Sequence, residues 1–475
     1  MRARDTLIFI TIVLVLLGGI CALFPKEGLP FGARRLYFLT IEDIVAGNSR
    51  STSVFQQLQA LEDEIRLQRH RDSLYVDSLS FYTKFFQESP ARFHIPDNDW
   101  SFFNELFANL EPGRENRNPV RILHYGDSQI ESDRITGYIR QQLQEKFGGN
   151  GPGLLPAVQP IPSYTVGQSA SENITRYIVS GMHQNRASHK RYGALGQFGA
   201  VSGESAVTVN VRNRKNNYEN IKDFQTIRLF VGRDKNFKAR PILPGKETVK
   251  EAIIDDSTPV RTYTWNLPAP ADKFTLRMSG SGEVYGIAVD GISGVAVDNI
   301  PFRGSSGTFF TTLDSTVMTP MLKQLNVRLI ILEFGGNMMP VIKNEKTIEN
   351  YCNTMSEQIA YLRKIRPEAK ILLIGPSDMS TKVTGRLKTY PHLEPLVEGL
   401  KKAALQNGAA FWNMYEVMGG QNSMIEWVKH TPALAAPDHI HFTTKGTDRI
   451  AALFCETLMI YYDYYRFVTE NKTGK

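Results

Sequence analysis

The sequence has 475 residues, too many for one ordinary domain and enough for about three. Apolar residues make up 42%, as in a globular protein with a core to bury, and three cysteines without a Cys-x-x-Cys exclude a disulfide framework. The net charge of +7 comes with no nucleic-acid fold signature, so no nucleic-acid partner is read from it.

Residues 6–24 form a 19-residue uncharged, mostly apolar run behind Arg2 and Arg4, which reads as an uncleaved membrane anchor, with a signal peptide as the alternative. Residues 25–50 read as a tether. From Ser53 to Gln87 apolar residues recur at helical spacing, with Val54, Leu58, Leu61 and Ile65 on one stripe. A second helix is expected over 97–110, starting at Asp97.

The apolar run 121–126 ends in Gly126-Asp127-Ser128 and is followed at once by a helical pattern. Ser128 is thereby placed at a strand-to-helix turn, at the carboxyl edge of a sheet. A serine hydroxyl is a weak nucleophile, so this reading requires a base, an acid that orients it, and donors for an oxyanion.

From about Leu155 to Asp290 the pattern changes to short alternating runs such as AVTVNVRN and RTYTWNL, separated by turn residues. Strands at this spacing predict a β-sandwich standing as a separate module. Residues 186–250 hold 14 Lys or Arg against 5 Asp or Glu, a net of +9, a basic face for anionic polymers or simply a solvated surface. Tyr263 and Trp265 are candidates for stacking on a sugar ring, although an aromatic in such a module is more often core.

From Gly294 helices and strands alternate again, which predicts a parallel sheet covered on both faces, with its sites at the carboxyl ends of the strands. Gly304, in NIPFRGSSG, and Asn337, which closes the strand RLIILEFGGN, offer a backbone N–H and an amide as oxyanion donors. Near the end Asp438 stands three residues before His441, where it can hold the imidazole Nδ1 and leave Nε2 for the serine. The nine histidines show no metal-ligand spacing beyond the His439/His441 pair, so no metal or cofactor is expected. Cys352 and Cys455 fall in helical patterns and read as buried free thiols.

The ordered blocks Ser128, Gly304, Asn337 and Asp438-x-x-His441 resemble those of the SGNH, or GDSL-type, hydrolases. The Gly-Asp-Ser-Gln start, the GGNGPG segment at 148–153 and the long insert are most similar to the peptidoglycan O-acetylesterase branch. The resemblance covers roughly residues 120–153 and 294–467. It implies a flavodoxin-like three-layer α/β/α domain with a parallel sheet, interrupted by the β-insert. Ser128 would be the nucleophile, His441 and Asp438 its base and acid, and Gly304 with Asn337 and the Ser128 N–H the oxyanion donors. Gly307 is the fallback for Gly304. Gln129 stands where the family name has Leu, a replacement common in this branch, and is read as touching no catalytic role, while Met338 and Met339 follow Asn337 where the family usually has Asp or Glu.

Together these readings divide the chain into an anchor or signal segment at 1–24, a tether and helical segment at 25–110, catalytic parts at 111–154 and 293–470, and the insert at 155–292. The resemblance implies an esterase that removes O-acyl groups, O-acetyl above all, from cell-wall or envelope glycan. One alternative is an O-acyltransferase working beside a multi-spanning membrane partner. The other is an inactive body carrying a glycan-binding insert. The anchor places the body outside the cytoplasmic membrane, in the periplasm, or secreted if the segment is cleaved.

Overall fold

The structure, a computed structural model, describes residues 75–472 except 112–117, 182, 212–220, 222 and 246–248. Before Tyr75 it describes Thr11, Val13, Gly19 and residues 29–31, 34–36, 58–60, 62 and 63. The expected anchor, the tether and most of the first helical stripe therefore lie outside the described residues. Among those described, no helix is long and apolar enough to cross a membrane.

The body is built on a six-stranded sheet of β1 (Phe93–His94), β2 (Val120–Gly126), β3 (Val295–Pro301), β4 (Val327–Glu333), β5 (Lys370–Ile374) and β6 (Ala410–Trp412). The spatial order is β3-β2-β4-β5-β6-β1; β1 alone runs antiparallel, against β6. Leaving β1 aside, the chain starts in the second position, steps left, and then crosses to fill the other side. That is the doubly wound flavodoxin-like order, whose crevice opens where the winding reverses.

The strands are mostly apolar because both faces are covered. In β4, Leu329 and Ile331 enter one core while Ile330 and Leu332 enter the other. The first face is covered by α3 (Arg134–Phe147) and α8 (Thr444–Lys472), through Ile139, Leu143, Phe454 and Leu458. The second is covered by α4 (Ser315–Gln324), α5 (Glu345–Ile365) and α6 (Leu393–Gln406), through Met321, Ile359 and Leu400. Side chains alternating across each strand thus make the expected three layers. Cys352 and Cys455 are buried free thiols.

Ahead of this body, α1 (Tyr75–Glu88) packs Tyr82 and Phe86 against Tyr464 of α8. The helix expected from Asp97 starts later, as α2 (Asn104–Leu110). Asp97 and Asn98 take φ of 56° and 52°, left-handed values that no helix interior accommodates.

The insert also differs from expectation. Among the described residues its strands are joined by hydrogen bonds into one sheet of nine, where two separate sheets were expected. Two long strands, Phe224–Ile242 and Lys273–Asp290, pair along their length with register shifts between Phe230 and Val231 and again beyond Gly232. Such bulges bend a sheet and increase its twist, which lets one sheet curl round its own core. The other edge of Lys273–Asp290 takes Ser205–Val211, Gln197–Ser202 and Gly153–Leu155 in turn, so the sheet begins at Gly153.

Nor does the insert stand apart as a separate module. Ile178, Leu195, Phe198 and Tyr285 share a core with Tyr125, Phe310 and Met321 of the α/β body. The seam carries buried ion pairs as well: Arg121 of β2 reaches Asp298 of β3 at 2.6 Å and also pairs with Asp290, and Arg228 lies 3.3 Å from Asp290. Other members of the basic segment find acids too, Arg191 with Asp314 and Arg233 with Glu283.

Candidate active site

The crevice at the winding reversal holds the residues that the sequence brings forward. β2 ends at Gly126, and the chain turns through Asp127, Ser128 and Gln129 before Glu131–Asp133 leads into α3. Ser128 Oγ lies 2.8 Å from His441 Nε2, across 313 residues of sequence. On the other side of the ring, His441 Nδ1 lies 2.7 Å from Asp438 Oδ2. A carboxylate only accepts, so Nδ1 carries the proton and Nε2 faces the serine as an acceptor.

The loop that presents His441 is held by its own backbone. Asp438 Oδ1 accepts from the N–H of Ile440 and of His441, at 2.9 and 3.0 Å, and Ala436 N–H donates to the His441 carbonyl at 2.8 Å. Burial pushes the Asp438 carboxyl up, but the bonds from the His441 ring and these two amides outweigh it and hold the group below the usual carboxylate range. Asp438 therefore stays ionised while it orients the ring.

β4 delivers Asn337 on the short turn Gly336–Met338. The bend before it needs a glycine: Gly335 sits at φ 128°, and a Cβ there would come within 3.0 Å of Pro376. The Asn337 amide donates to Asp127 Oδ2 at 2.8 Å and to the Ser305 carbonyl at 3.1 Å. Asp127 is enclosed, and burial together with the Glu333 carboxylate pushes its carboxyl up to about 7, against hydrogen bonds from Gln129 N–H and Asn337.

Ser128, Gln129, Asn337, Ile440 and His441 line one cleft of about 150 Å³, with Phe334, Pro340, Pro376 and Met379 as its apolar wall. Gly304 does not line it. It sits at φ 72° with open space where a Cβ would point, on the wall of a larger neighbouring cavity. Gly307, at φ 73°, packs against the Phe334 ring, which a Cβ would meet at 2.5 Å.

Tyr263 and Trp265 are not available to a sugar. They are 5% and 2% exposed, stack on each other with ring centroids 6.0 Å apart, and belong to the insert's core. A strand that buries alternate residues places two aromatics two apart on the same inward face.

Two residues escaped the sequence reading. Gln129 donates through Nε2 to the Ile440 carbonyl at 2.7 Å and accepts through Oε1 from Phe442 N–H at 3.4 Å, so it grips the chain on both sides of His441. Arg134 donates to the carbonyls of Ser128 at 2.8 Å and Phe442 at 3.0 Å and ties the same two segments. Beneath them Glu333 lies 3.1 Å from His124 Nε2. A carboxylate ending an otherwise apolar strand was the available signal for Glu333. Nothing local signals that Gln129 and Arg134 reach residues some 310 positions away.

Among the described residues no cluster of His, Cys, Asp or Glu could hold a metal ion. A serine, a histidine and an aspartate in line at the crevice of a doubly wound sheet are the arrangement that the motifs imply for an SGNH hydrolase. A solved peptidoglycan O-acetylesterase aligns with 77% of this chain and 96% of its own, with a TM-score of 0.57 at 19% identity, and shares its fold. A carbohydrate acetylesterase from Sinorhizobium meliloti matches over 35% of this chain and 78% of its own, with a TM-score of 0.26 at 13% identity. A family two carbohydrate esterase from Cellvibrio japonicus matches over 63% and 99%, with a TM-score of 0.23 at 9% identity. The first of these carries the fold, and it supports the relationship to SGNH hydrolases that the motifs imply. No protein-family model matches the sequence, and no curated protein matches it either.

Proposed function

We propose that the protein is a serine-dependent esterase that removes O-acetyl groups from a glycan through an acyl-enzyme. The observation that carries this reading is the line from Ser128 Oγ to His441 Nε2 to Asp438, with steps of 2.8 and 2.7 Å. His441 takes the serine proton at Nε2 as Oγ attacks the ester carbonyl, and Asp438 stabilises the imidazolium that forms. The oxyanion is met by the N–H of Ser128 and by the Asn337 amide, both on the cleft wall, whereas the expected third donor, Gly304, lies on the wall of the neighbouring cavity. In the resting site both Asn337 amide hydrogens already face acceptors. A developing oxyanion carries more charge than the Ser305 carbonyl and outcompetes it for one of them. His441 then returns the proton to the leaving sugar oxygen, and water repeats the sequence in reverse order.

The cleft volume favours a short acyl group. A space of about 150 Å³ with a proline-rich apolar wall takes a methyl and a carbonyl, and it is small beside the roughly 300–1,000 Å³ of pockets that hold larger ligands. A glycan as the leaving alcohol is supported by the fold shared with a peptidoglycan O-acetylesterase. The test is acetate release from O-acetylated peptidoglycan and from an O-acetylated chito-oligosaccharide, with Ser128→Ala in parallel. Ser128-dependent release into water is expected. Acetyl appearing on an added sugar acceptor instead would make the protein a transferase, and no Ser128-dependent release from any acetyl ester would end the reading.

A further inference from the structure

On the far side of the 128–133 segment lies a second cavity, of about 440 Å³, that shares no lining residue with the Ser128 cleft. The catalytic body supplies Ile300, Pro301 and Phe302 to its wall, and the insert supplies Leu155, Ile178 and Leu195. Its volume falls in the range of ordinary ligand pockets, and its wall is mostly apolar, as theirs are.

The charges in this wall do not cancel. Arg140 is bidentate to Asp133, at 2.6 and 3.0 Å, and Arg303 Nε lies 2.8 Å from Glu131 Oε1. Arg176 remains. Its Nε donates to Gln197 Oε1 at 2.6 Å and its Nη1 to Gln184 Oε1 at 2.9 Å, both neutral amide oxygens. No carboxylate among the described residues pairs with it. Arg186, an exposed residue outside the cavity lining and also without a carboxylate among the described residues, donates to the carbonyls of Ile178 and Gly181 at 3.0 and 2.7 Å. Burial pulls the Arg176 guanidinium below its ordinary value, the mark of a cation desolvated without a counter-ion. Two glutamines fix the plane of the guanidinium and leave Nη2 without a hydrogen-bond partner among the described residues, which is how a planar fork is held ready for a planar anion.

We propose that this seam cavity is a binding site for a monocarboxylate with an apolar body, its carboxylate on Arg176 and its body against the apolar wall. Two sources share that chemistry: a carboxylated sugar, presenting the C–H face of its ring, and a medium-chain alkyl carboxylate. The site lies outside the Ser128 cleft and stands or falls independently of the esterase reading.

The test titrates the full chain with N-acetylmuramic acid and with octanoate, beside their uncharged counterparts N-acetylglucosamine and octanamide, and repeats the titrations in Arg176→Gln and Arg176→Lys. A carboxylate preference of about tenfold or more is expected, lost in Arg176→Gln and clearly reduced in Arg176→Lys, which keeps the charge but not the planar fork, with the melting temperature reporting that each variant folds. Preference confined to N-acetylmuramic acid assigns a sugar acid, and preference confined to octanoate an alkyl acid. If neither carboxylate binds at millimolar concentration, or if the preference survives Arg176→Gln, the proposal is overturned. Ser128→Ala is expected to bind the probe as the unmodified chain does, which separates this site from the cleft.

Discussion

The Ser128 cleft and the insert seam meet along one short segment, residues 127–129 lining the first and residues 131–133 the cavity of the second, yet they treat charge in opposite ways. In the cleft, the His441 and Asp438 side chains remain 35% and 47% exposed. In the seam, Arg121 and Asp298 are 0% exposed. On the proposed reading, the histidine that passes the proton and the carboxylate that orients it stay close to substrate and to water. A charge that only joins two layers is locked away, and its partners become indispensable because an uncompensated buried ion is strongly destabilising. Changes in the cleft are therefore expected to alter rate at constant stability, and changes in the seam to alter stability at nearly constant rate.

The largest effect expected is that of Ser128→Ala on acetate release from an aryl acetate, a loss of at least about a thousandfold, with the melting temperature unchanged. Retention of the rate within tenfold would remove Ser128 from the chemistry. The opposite half of the comparison is Arg121→Met, which leaves the Asp298 carboxylate buried without its ion pair and Asp290 with only Arg228 at 3.3 Å. A loss of about 3–5 kcal/mol is expected, read as a lower urea midpoint, while turnover per folded molecule stays within about twofold. An unchanged midpoint would mean that the seam does not hold the insert to the body. Asn337→Ala is expected to reduce the turnover number about a hundredfold with little change in KM, the effect of one lost oxyanion donor. It also takes the amide donor away from Asp127, so a control measurement of its urea midpoint tells a rate effect from a folding one.

The parallel sheet and its site were legible in the sequence because they depend on local pattern. The apolar runs of β2, β4 and β5 alternate between two cores, and a run that cannot turn outward on either face is recognisable without knowing its neighbours. Ser128, Asn337 and His441 were legible for the related reason that each closes or opens such an element. What failed depended on pairing at a distance. The insert's strands were readable one by one, but not the fact that Lys273–Asp290 accepts three successive partners along one edge and so turns two expected sheets into one. Tyr263 and Trp265 lie where alternation puts core, and the hope of a sugar platform gave way to burial. Asp97 resembles a helix cap, and only the backbone shows it at φ 56°.

Gln129 lies between the two regimes and gives the smallest and most informative prediction. By sequence it stands where the family name has Leu, as is common in the branch this chain resembles, and it is read as carrying no chemistry. In the structure it is 8% exposed and meets the Ile440 carbonyl and the Phe442 N–H, the two backbone groups that flank His441. Gln129→Leu keeps the apolar volume and takes away both bonds, each neutral and worth about 1 kcal/mol. Arg134 still ties Ser128 to Phe442, so the His441 loop loosens without detaching. The expected result is a turnover number lower by about tenfold, an unchanged KM, and a stability loss of no more than about 1–2 kcal/mol. A rise in KM alone would place Gln129 against the substrate, and no change in either constant would leave the loop held by Arg134 and the Asp438 turn without it. Leucine and glutamine are of similar volume, so a loss in Gln129→Leu would come from the bonds to the histidine loop and not from packing.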